Sequence, residues 1–144
     1  MMENSIDLLK KYWRKDIFRP MQKEIIDHYN CGYDSIVLLP TGGGKSLCYQ
    51  LPAVMKKGAT LVICPIISLM QDQIIELDKK GIKAMFFESS YDKNSINRQF
   101  DNARYGNYKL IYFSPERLLD KIFLNQLKTL EISGIRSEER RVGK

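Results

Sequence analysis

Leu39-Pro40-Thr41-Gly42-Gly43-Gly44-Lys45-Ser46 is the stretch from which the rest of this sequence is best interpreted. It follows the short apolar run Ile36 to Leu39 and precedes the helix-compatible run Leu47 to Lys57. A strand, a glycine-rich turn and a helix start are the three parts of a phosphate cradle. The stretch therefore predicts a nucleotide-binding turn at the end of a buried strand.

The chemistry of a phosphate cradle explains each residue type in this turn. Three consecutive glycines can adopt positive φ and bring several N–H groups onto one concave surface. Lys45, the candidate catalytic residue, would reach the β- and γ-phosphates of a nucleotide, and the Ser46 hydroxyl is a hard oxygen ligand suited to Mg²⁺. Leu39 stands where the strict phosphate-loop pattern has its first glycine, so a flexible glycine turn with a solvated lysine is the alternative. The candidate phosphate-binding residues are Thr41, Gly42, Gly43, Gly44, Lys45 and Ser46.

Composition sets broad limits on the class of protein. The 144 residues are 44% hydrophobic and 28% charged, which is enough for one domain with a real core. The net charge of +6 leans toward polyanionic partners without proving one. Cys31, Cys48 and Cys64 are widely spaced, which favours reduced thiols and predicts a cytoplasmic protein. The longest apolar runs are strand-sized, so no membrane segment is expected.

Strand and helix patterns alternate along the chain, which predicts an α/β fold with a parallel sheet and helices on both faces. The predicted strands are 35–39, 60–64, 83–87 and 108–113, and the predicted helices are 5–15, 20–32, 46–57, 68–81, 92–105 and 114–130. Ser68 is the expected cap of the helix 68–81, and Ser114 is the expected cap of the helix 114–130. In such a sheet, ligands collect at the carboxyl ends of the strands.

Arg19 and Gln22 lie three residues apart at a helix start, so both side chains can point to one side. A glutamine amide both donates and accepts, which matches the N6/N7 edge of adenine. An exposed arginine and glutamine without a ligand is the alternative on spacing alone.

Four motifs in order resemble the start of a RecQ-family DNA helicase of superfamily two. They are Phe18-Arg19-Pro20-Met21-Gln22, Leu39 to Pro52 (LPTGGGKSLCYQLP), Cys64 to Gln73 (CPIISLMQDQ) and Ile111 to Leu118 (IYFSPERL). The resemblance implies a RecA-like first motor domain over residues 1–133, with ATP and Mg²⁺ as cofactors. It implies that Arg19 and Gln22 hold adenine. It also implies single-stranded or partly duplex DNA as partner, contacted by Pro65, Ser68, Gln71, Ser114 and Arg117.

The sequence departs from the family pattern in two places. Trp13-Arg14-Lys15 stands where the family usually has Phe-Gly and an aromatic residue, and the Asp-Glu-x-His motif that would follow residue 133 is absent. The apolar pattern stops after Gly134, so residues 134–144 are interpreted as an anomalous charged tail from a truncation, frame error or fusion scar. An ordinary charged C-terminal tail is the alternative. Little or no ATPase activity is therefore expected of this chain by itself.

The function expected from the resemblance is ATP-dependent 3′ to 5′ DNA unwinding by the parent protein. Two alternatives remain open at this point. One is a module that binds a nucleotide or single-stranded nucleic acid without hydrolysis, and the other is a different phosphate-loop ATPase or kinase.

Overall fold

The computed structural model describes residues 4–32, 45–87 and 93–137, which fall into two compact units, Met1–Lys56 and Lys57–Lys144. The predicted strand 35–39, the residues Thr41 to Gly44 and the end of the chain from 138 lie outside the described residues.

The described part of the first unit is helical. Helix α1 spans Ser5–Leu8 and continues as a π-helical turn, Leu9–Trp13. Helix α2 spans Gln22–Asn30, and α3 spans Lys45–Met55 with Pro52 inside it. These elements confirm the three predicted helices, with shorter ends than the pattern indicated. Gly32 ends the α2 segment at φ +90°, a conformation that glycine adopts without the steric cost of a side chain.

The core of the first unit is a cluster of aliphatic side chains from all three helices: Leu8, Leu9, Ile26, Leu47 and Leu51. Each such side chain contributes roughly 1.5–3 kcal/mol when it is fully buried. This cluster is what holds α3, and with it Lys45 and Ser46, against α1 and α2.

The second unit is built on a four-stranded sheet. The strands are β1 Ala59–Ile63, β2 Ala84–Phe86, β3 Leu110–Phe113 and β4 Ile132–Ser137. All pairs are parallel and the order is β2-β3-β1-β4. The predicted parallel α/β sheet is confirmed for the described strands.

Helices cover both faces of this sheet. They are α4 Ile67–Lys79, α5 Lys93–Tyr105 and α6 Lys121–Leu127. Ile111 and Phe113 pack in one cluster with Phe100 of α5 and Phe123 of α6. Tyr112 lies between them in sequence and therefore points to the other face, where its hydroxyl meets Gln73 of α4.

The helix predicted over 114–130 is two helices, so that expectation was wrong. A 3-10 helix spans Pro115–Leu119, and α6 begins after Asp120. The Asp120 carboxylate accepts the N–H groups of Ile122 and Phe123 at 3.0 and 3.3 Å. This side-chain cap starts a new helix, since aspartate at such a position satisfies N–H groups that would otherwise lack partners.

The strand pattern also extends further than the sequence indicated. The boundary placed at residue 134 falls inside β4, which pairs with β1 up to Ile63 opposite Ser137. Ile135 is 61% exposed, so this strand is held by backbone pairing and not by an apolar run. Hydropathy alone misses such a strand, because its backbone hydrogen bonds do not depend on buried side chains. The interpretation of the remaining residues as a truncated tail stays a prediction.

Among the described residues, no helix combines the length and the apolar character that crossing a membrane requires.

Candidate nucleotide and nucleic-acid site

Gln22 is buried, whereas Arg19 and Lys45 are exposed and Ser46 is half-buried. Gln22 is 3% exposed, and its side-chain Oε1 accepts the backbone N–H of Arg19 at 2.8 Å. The backbone N–H of Gln22 in turn donates to the Arg19 carbonyl at 3.1 Å. This reciprocal pair closes a tight turn in which Met21 adopts φ +72°. A methionine with positive φ is strained, and such strain persists only where surrounding contacts enforce it. The turn therefore fixes the direction of the Gln22 amide before any ligand arrives.

The starts of α2 and α3 lie at the same end of the first unit. The carboxyl ends of the two helices touch, since Asn30 Nδ2 donates to Met55 Sδ at 3.4 Å and Lys56 Nζ lies 4.1 Å from the Tyr29 ring centroid. Midway along, Ile26 and Leu51 belong to one buried cluster. Helices that meet at their ends and at their middles run side by side. Gln22 and Lys45, which begin these helices, are therefore brought toward one another.

Lys45 and Ser46 are the first two residues of α3. The Lys45 side chain is exposed, and Ser46 is half-buried. This helix has eleven residues, and the first N–H groups of an α-helix have no partner within the helix and carry a partial positive charge, which attracts phosphate oxygens. Thr41, Gly42, Gly43 and Gly44 lie outside the described residues, so their predicted part in the cradle stays a prediction.

In the second unit, the ends of two neighbouring strands bring the predicted nucleic-acid residues together. Ile63 at the end of β1 is paired with Phe113 at the end of β3, and the Cys64 N–H donates to the Phe113 carbonyl at 3.0 Å. Pro65 therefore follows the end of β1 closely, and Ser114 directly follows the end of β3. The motif that contains Ser68 and the motif that contains Arg117 leave the same edge of the sheet.

Pro65, Ser68 and Gln71 are all exposed beside this edge. Ser68 does not cap α4, as the sequence pattern had suggested. The helix starts one residue earlier, at Ile67, and its cap position is Ile66, which offers no side-chain hydrogen bond. The start of α4 is thus left without a side-chain cap, and Ser68 and Gln71, three residues apart, share one exposed face.

Ser114 and Arg117 are buried, at 5% and 8% exposure. The guanidinium of Arg117 lies over the Phe123 ring, 5.4 Å from its centroid, and its backbone N–H donates to the Ser114 carbonyl at 3.1 Å. In this arrangement Arg117 supports the turn from beneath instead of presenting its charge outward. Its predicted contact with a DNA phosphate remains a prediction.

Glu116 is the exposed member of the same turn. Its pKa is lowered, chiefly by hydrogen bonding of the carboxylate to its own backbone N–H, a contact that favours the charged form. The carboxylate therefore remains ionised at neutral pH and stabilises the first turn of the 3-10 helix.

Sequence reasoning missed a connection between the two motifs. Tyr112 is fully buried in β3, and its hydroxyl donates to Gln73 Oε1 of α4 at 2.7 Å. A sequence signal existed, because a tyrosine in the middle of the apolar run Ile111-Tyr112-Phe113 must find a hydrogen-bond partner when it is buried.

The parallel sheet, the helices on both its faces and the exposed residues at its carboxyl edge define an α/β protein of the RecA-like class. Residues 19–136 match the DEAD/DEAH box helicase family, and the chain belongs to that family.

Several curated relatives are RecQ-type proteins, which confirms the resemblance drawn from the motifs of the chain. It is 36% identical over 140 residues to the ATP-dependent DNA helicase RecQ of Bacillus subtilis, covering 96% of this chain and 24% of the relative. It is 44% identical over 124 residues to a putative ATP-dependent DNA helicase Q1 of Caenorhabditis briggsae, covering 84% and 20%. It is 41% identical over 126 residues to the ATP-dependent DNA helicase Q1 of Mus musculus, covering 85% and 19%. The chain therefore spans about a fifth to a quarter of the length of these relatives.

A solved structure confirms the fold. The DUF1998 helicase MrfA bound to DNA and AMPPNP superposes with a TM-score of 0.76 at 22% identity, over 94% of this chain and 21% of that one. At this identity the likeness establishes the RecA-like architecture and nothing finer.

Proposed function

We propose that this chain is the nucleotide- and DNA-binding part of an ATP-dependent 3′ to 5′ DNA helicase of the RecQ type. The observation that carries the proposal is the placement of Lys45 and Ser46 at the start of α3, which packs in one cluster with the helix that Gln22 begins. The named activity of the relatives supports it.

The nucleotide part of the proposal assigns ATP with Mg²⁺ to the first unit. The residues present fit this ligand, because a helix start with an exposed lysine suits phosphates and a serine hydroxyl suits Mg²⁺. The ordered amide of Gln22 suits the adenine edge. When bound, Mg²⁺ would neutralise charge on the phosphate oxygens.

The nucleic-acid part assigns single-stranded or partly duplex DNA to the carboxyl edge of the sheet in the second unit. The uncapped start of α4 and the exposed Ser68 and Gln71 offer N–H and hydroxyl donors to phosphate oxygens. These contacts carry no base information, which agrees with an enzyme that must move along any sequence.

The proposal assigns little ATP hydrolysis to this chain alone, since phosphoryl transfer requires a positioned water and a metal-assisting carboxylate. The Asp-Glu-x-His motif that supplies both in the family does not occur in the sequence. Binding without turnover is the activity to test.

The decisive experiment compares Lys45→Ala with the unaltered chain in binding of a fluorescent ATP analogue with Mg²⁺. Loss of a charged hydrogen bond is worth roughly 1.5–3 kcal/mol, so the variant should bind about 10- to 100-fold more weakly. Lys10→Ala, which removes an exposed lysine from the same unit, is the matched control and should bind normally.

Equal affinity of Lys45→Ala and the unaltered chain would remove the nucleotide part of the proposal. Substantial ATP turnover by the unaltered chain, stimulated by single-stranded DNA, would instead contradict the assignment of binding without hydrolysis.

A further inference from the structure

Tyr112 and Gln73 form a hydrogen bond between β3 and α4, two elements that are far apart along the chain. Tyr112 is fully buried in β3, and its hydroxyl donates to Gln73 Oε1 at 2.7 Å. Phenylalanine would fill nearly the same volume without needing a partner. The hydroxyl must be hydrogen-bonded at this depth, so its presence ties β3 to one defined point on α4.

The position of the link in the chain gives it a consequence for the sheet edge. Tyr112 precedes Ser114 by two residues, and Gln73 follows Gln71 by two residues and Ser68 by five. Gln73 therefore lies within about one and a half helical turns of the exposed Ser68 and Gln71, and Tyr112 lies two residues before the buried Ser114.

Apolar packing alone would not fix the placement of α4 along the sheet. Met70 and Leu77 are the buried residues of this helix, and apolar contacts of this kind are non-directional. They hold the helix close to the sheet but tolerate small sliding and rotation. A hydrogen bond requires a donor and an acceptor at one distance and angle, so it selects one register of α4.

We propose that Tyr112 and Gln73 are a positioning pair for the DNA interface. The pair sets where the exposed Ser68 and Gln71 of α4 lie relative to the turn that begins at Ser114, so that this edge of the sheet meets a phosphate backbone in one fixed arrangement. This inference rests on the proposed DNA-binding function and deepens it. Neither residue touches DNA in this role.

The test is binding of a fluorescein-labelled single-stranded oligothymidylate of about 16 nucleotides, a length typical of single-strand sites. Tyr112→Phe removes only the hydroxyl and should weaken binding about fivefold, the effect expected of one lost hydrogen bond. Gln73→Met removes the acceptor and should weaken binding similarly. The double variant should be no weaker than either single one, because the two changes break the same contact.

Two readouts separate positioning from a general loss of stability. Tyr108→Phe, a half-buried tyrosine at the other end of β3, is the matched control and should leave DNA binding unchanged. Hydrogen exchange of the amides in α4 should quicken in Tyr112→Phe but not in the control, since only the first loosens that helix.

Each outcome has a definite meaning. If the unaltered chain binds DNA and Tyr112→Phe binds equally well, the positioning role is wrong while the proposed function stands. If additive losses appear in the double variant, the two residues act separately and the pair is not the unit. If the unaltered chain does not bind the oligonucleotide, the proposed DNA-binding function fails and the positioning role fails with it.

Discussion

Gln22 shows how a short turn can fix the direction of one side chain. Its amide oxygen accepts the backbone N–H of Arg19 at 2.8 Å, so the turn sets the direction of the amide group. In the proposed site this amide meets the N6 amino edge of adenine, because an amide carries both acceptor and donor atoms. Guanine carries a carbonyl oxygen in place of that amino group, so two acceptors would face each other.

Gln22→Ala should abolish the preference for ATP over GTP. We expect the unaltered chain to favour the ATP analogue by about tenfold, the effect of a site that pairs one base edge and leaves the other unpaired. The variant should bind both within about twofold. Competition binding with the two nucleotides measures this directly. Glu24→Ala in the same helix turn is the control, and retention of the preference in Gln22→Ala would remove adenine recognition from this residue.

At the scale of an element, the segment after β3 shows how two acidic side chains divide one predicted helix into two. Glu116 is held in its charged form at the start of the 3-10 helix, and Asp120 caps α6 a few residues later. Glu116 binds its own backbone N–H, and Asp120 binds those of Ile122 and Phe123. Because the Asp120 cap starts a second helix, the chain forms two short helices in place of one continuous helix.

Glu116→Gln should make the protein less stable at pH 7 but not at pH 3. The pKa of Glu116 in the fold is lowered from 4.5, so its carboxylate stabilises the fold above that value. The contribution is lost as the pH falls through the lowered pKa, where glutamate becomes neutral and resembles glutamine. Thermal unfolding followed by circular dichroism at both pH values measures the difference. An equal difference in melting temperature at pH 7 and pH 3 would contradict the assignment.

At the scale of the molecule, the second unit is organised around four phenylalanine rings. Phe123 is the shared member, since its centroid lies 5.1 Å from Phe87, 5.3 Å from Phe100 and 5.3 Å from Phe113. These rings come from α5, α6, β3 and the exit of β2. The cluster therefore joins every element on that face of the sheet.

Phe123→Ala should lower the free energy of unfolding by about 3–5 kcal/mol, the cost of removing a buried ring and leaving a cavity. Small domains are stable by only about 5–15 kcal/mol, so the second unit should unfold at a much lower urea concentration. Phe123→Leu keeps most of the volume and should cost less. Urea unfolding of both variants provides the measurement, and a loss below 1 kcal/mol for the alanine variant would show that the cluster is not the centre of the core.

Most of the architecture could be predicted from the sequence because it follows from periodicity. The inner stripe Ile96, Phe100 and Ala103 of α5 and the apolar run of β3 were visible as spacings, and the structure confirms both. The break at Asp120 and the strand Ile132–Ser137 were not visible. A polar cap and a partly exposed strand are decided by hydrogen bonds to other parts of the chain, which leave no regular spacing.

The sequence by itself indicated the α/β class and most of the helices and strands, because local residue types and spacings carry that information. The phosphate-binding role of residues 41–46 stays a prediction. Only the tertiary structure decided that Arg117 is buried beneath its turn and that Gln22 is closed onto Arg19. It also decided that Tyr112 is bound to Gln73, a residue 39 positions earlier in the chain. Contacts between side chains so far apart in sequence depend on how the strands and helices pack, and packing is a property of the whole fold.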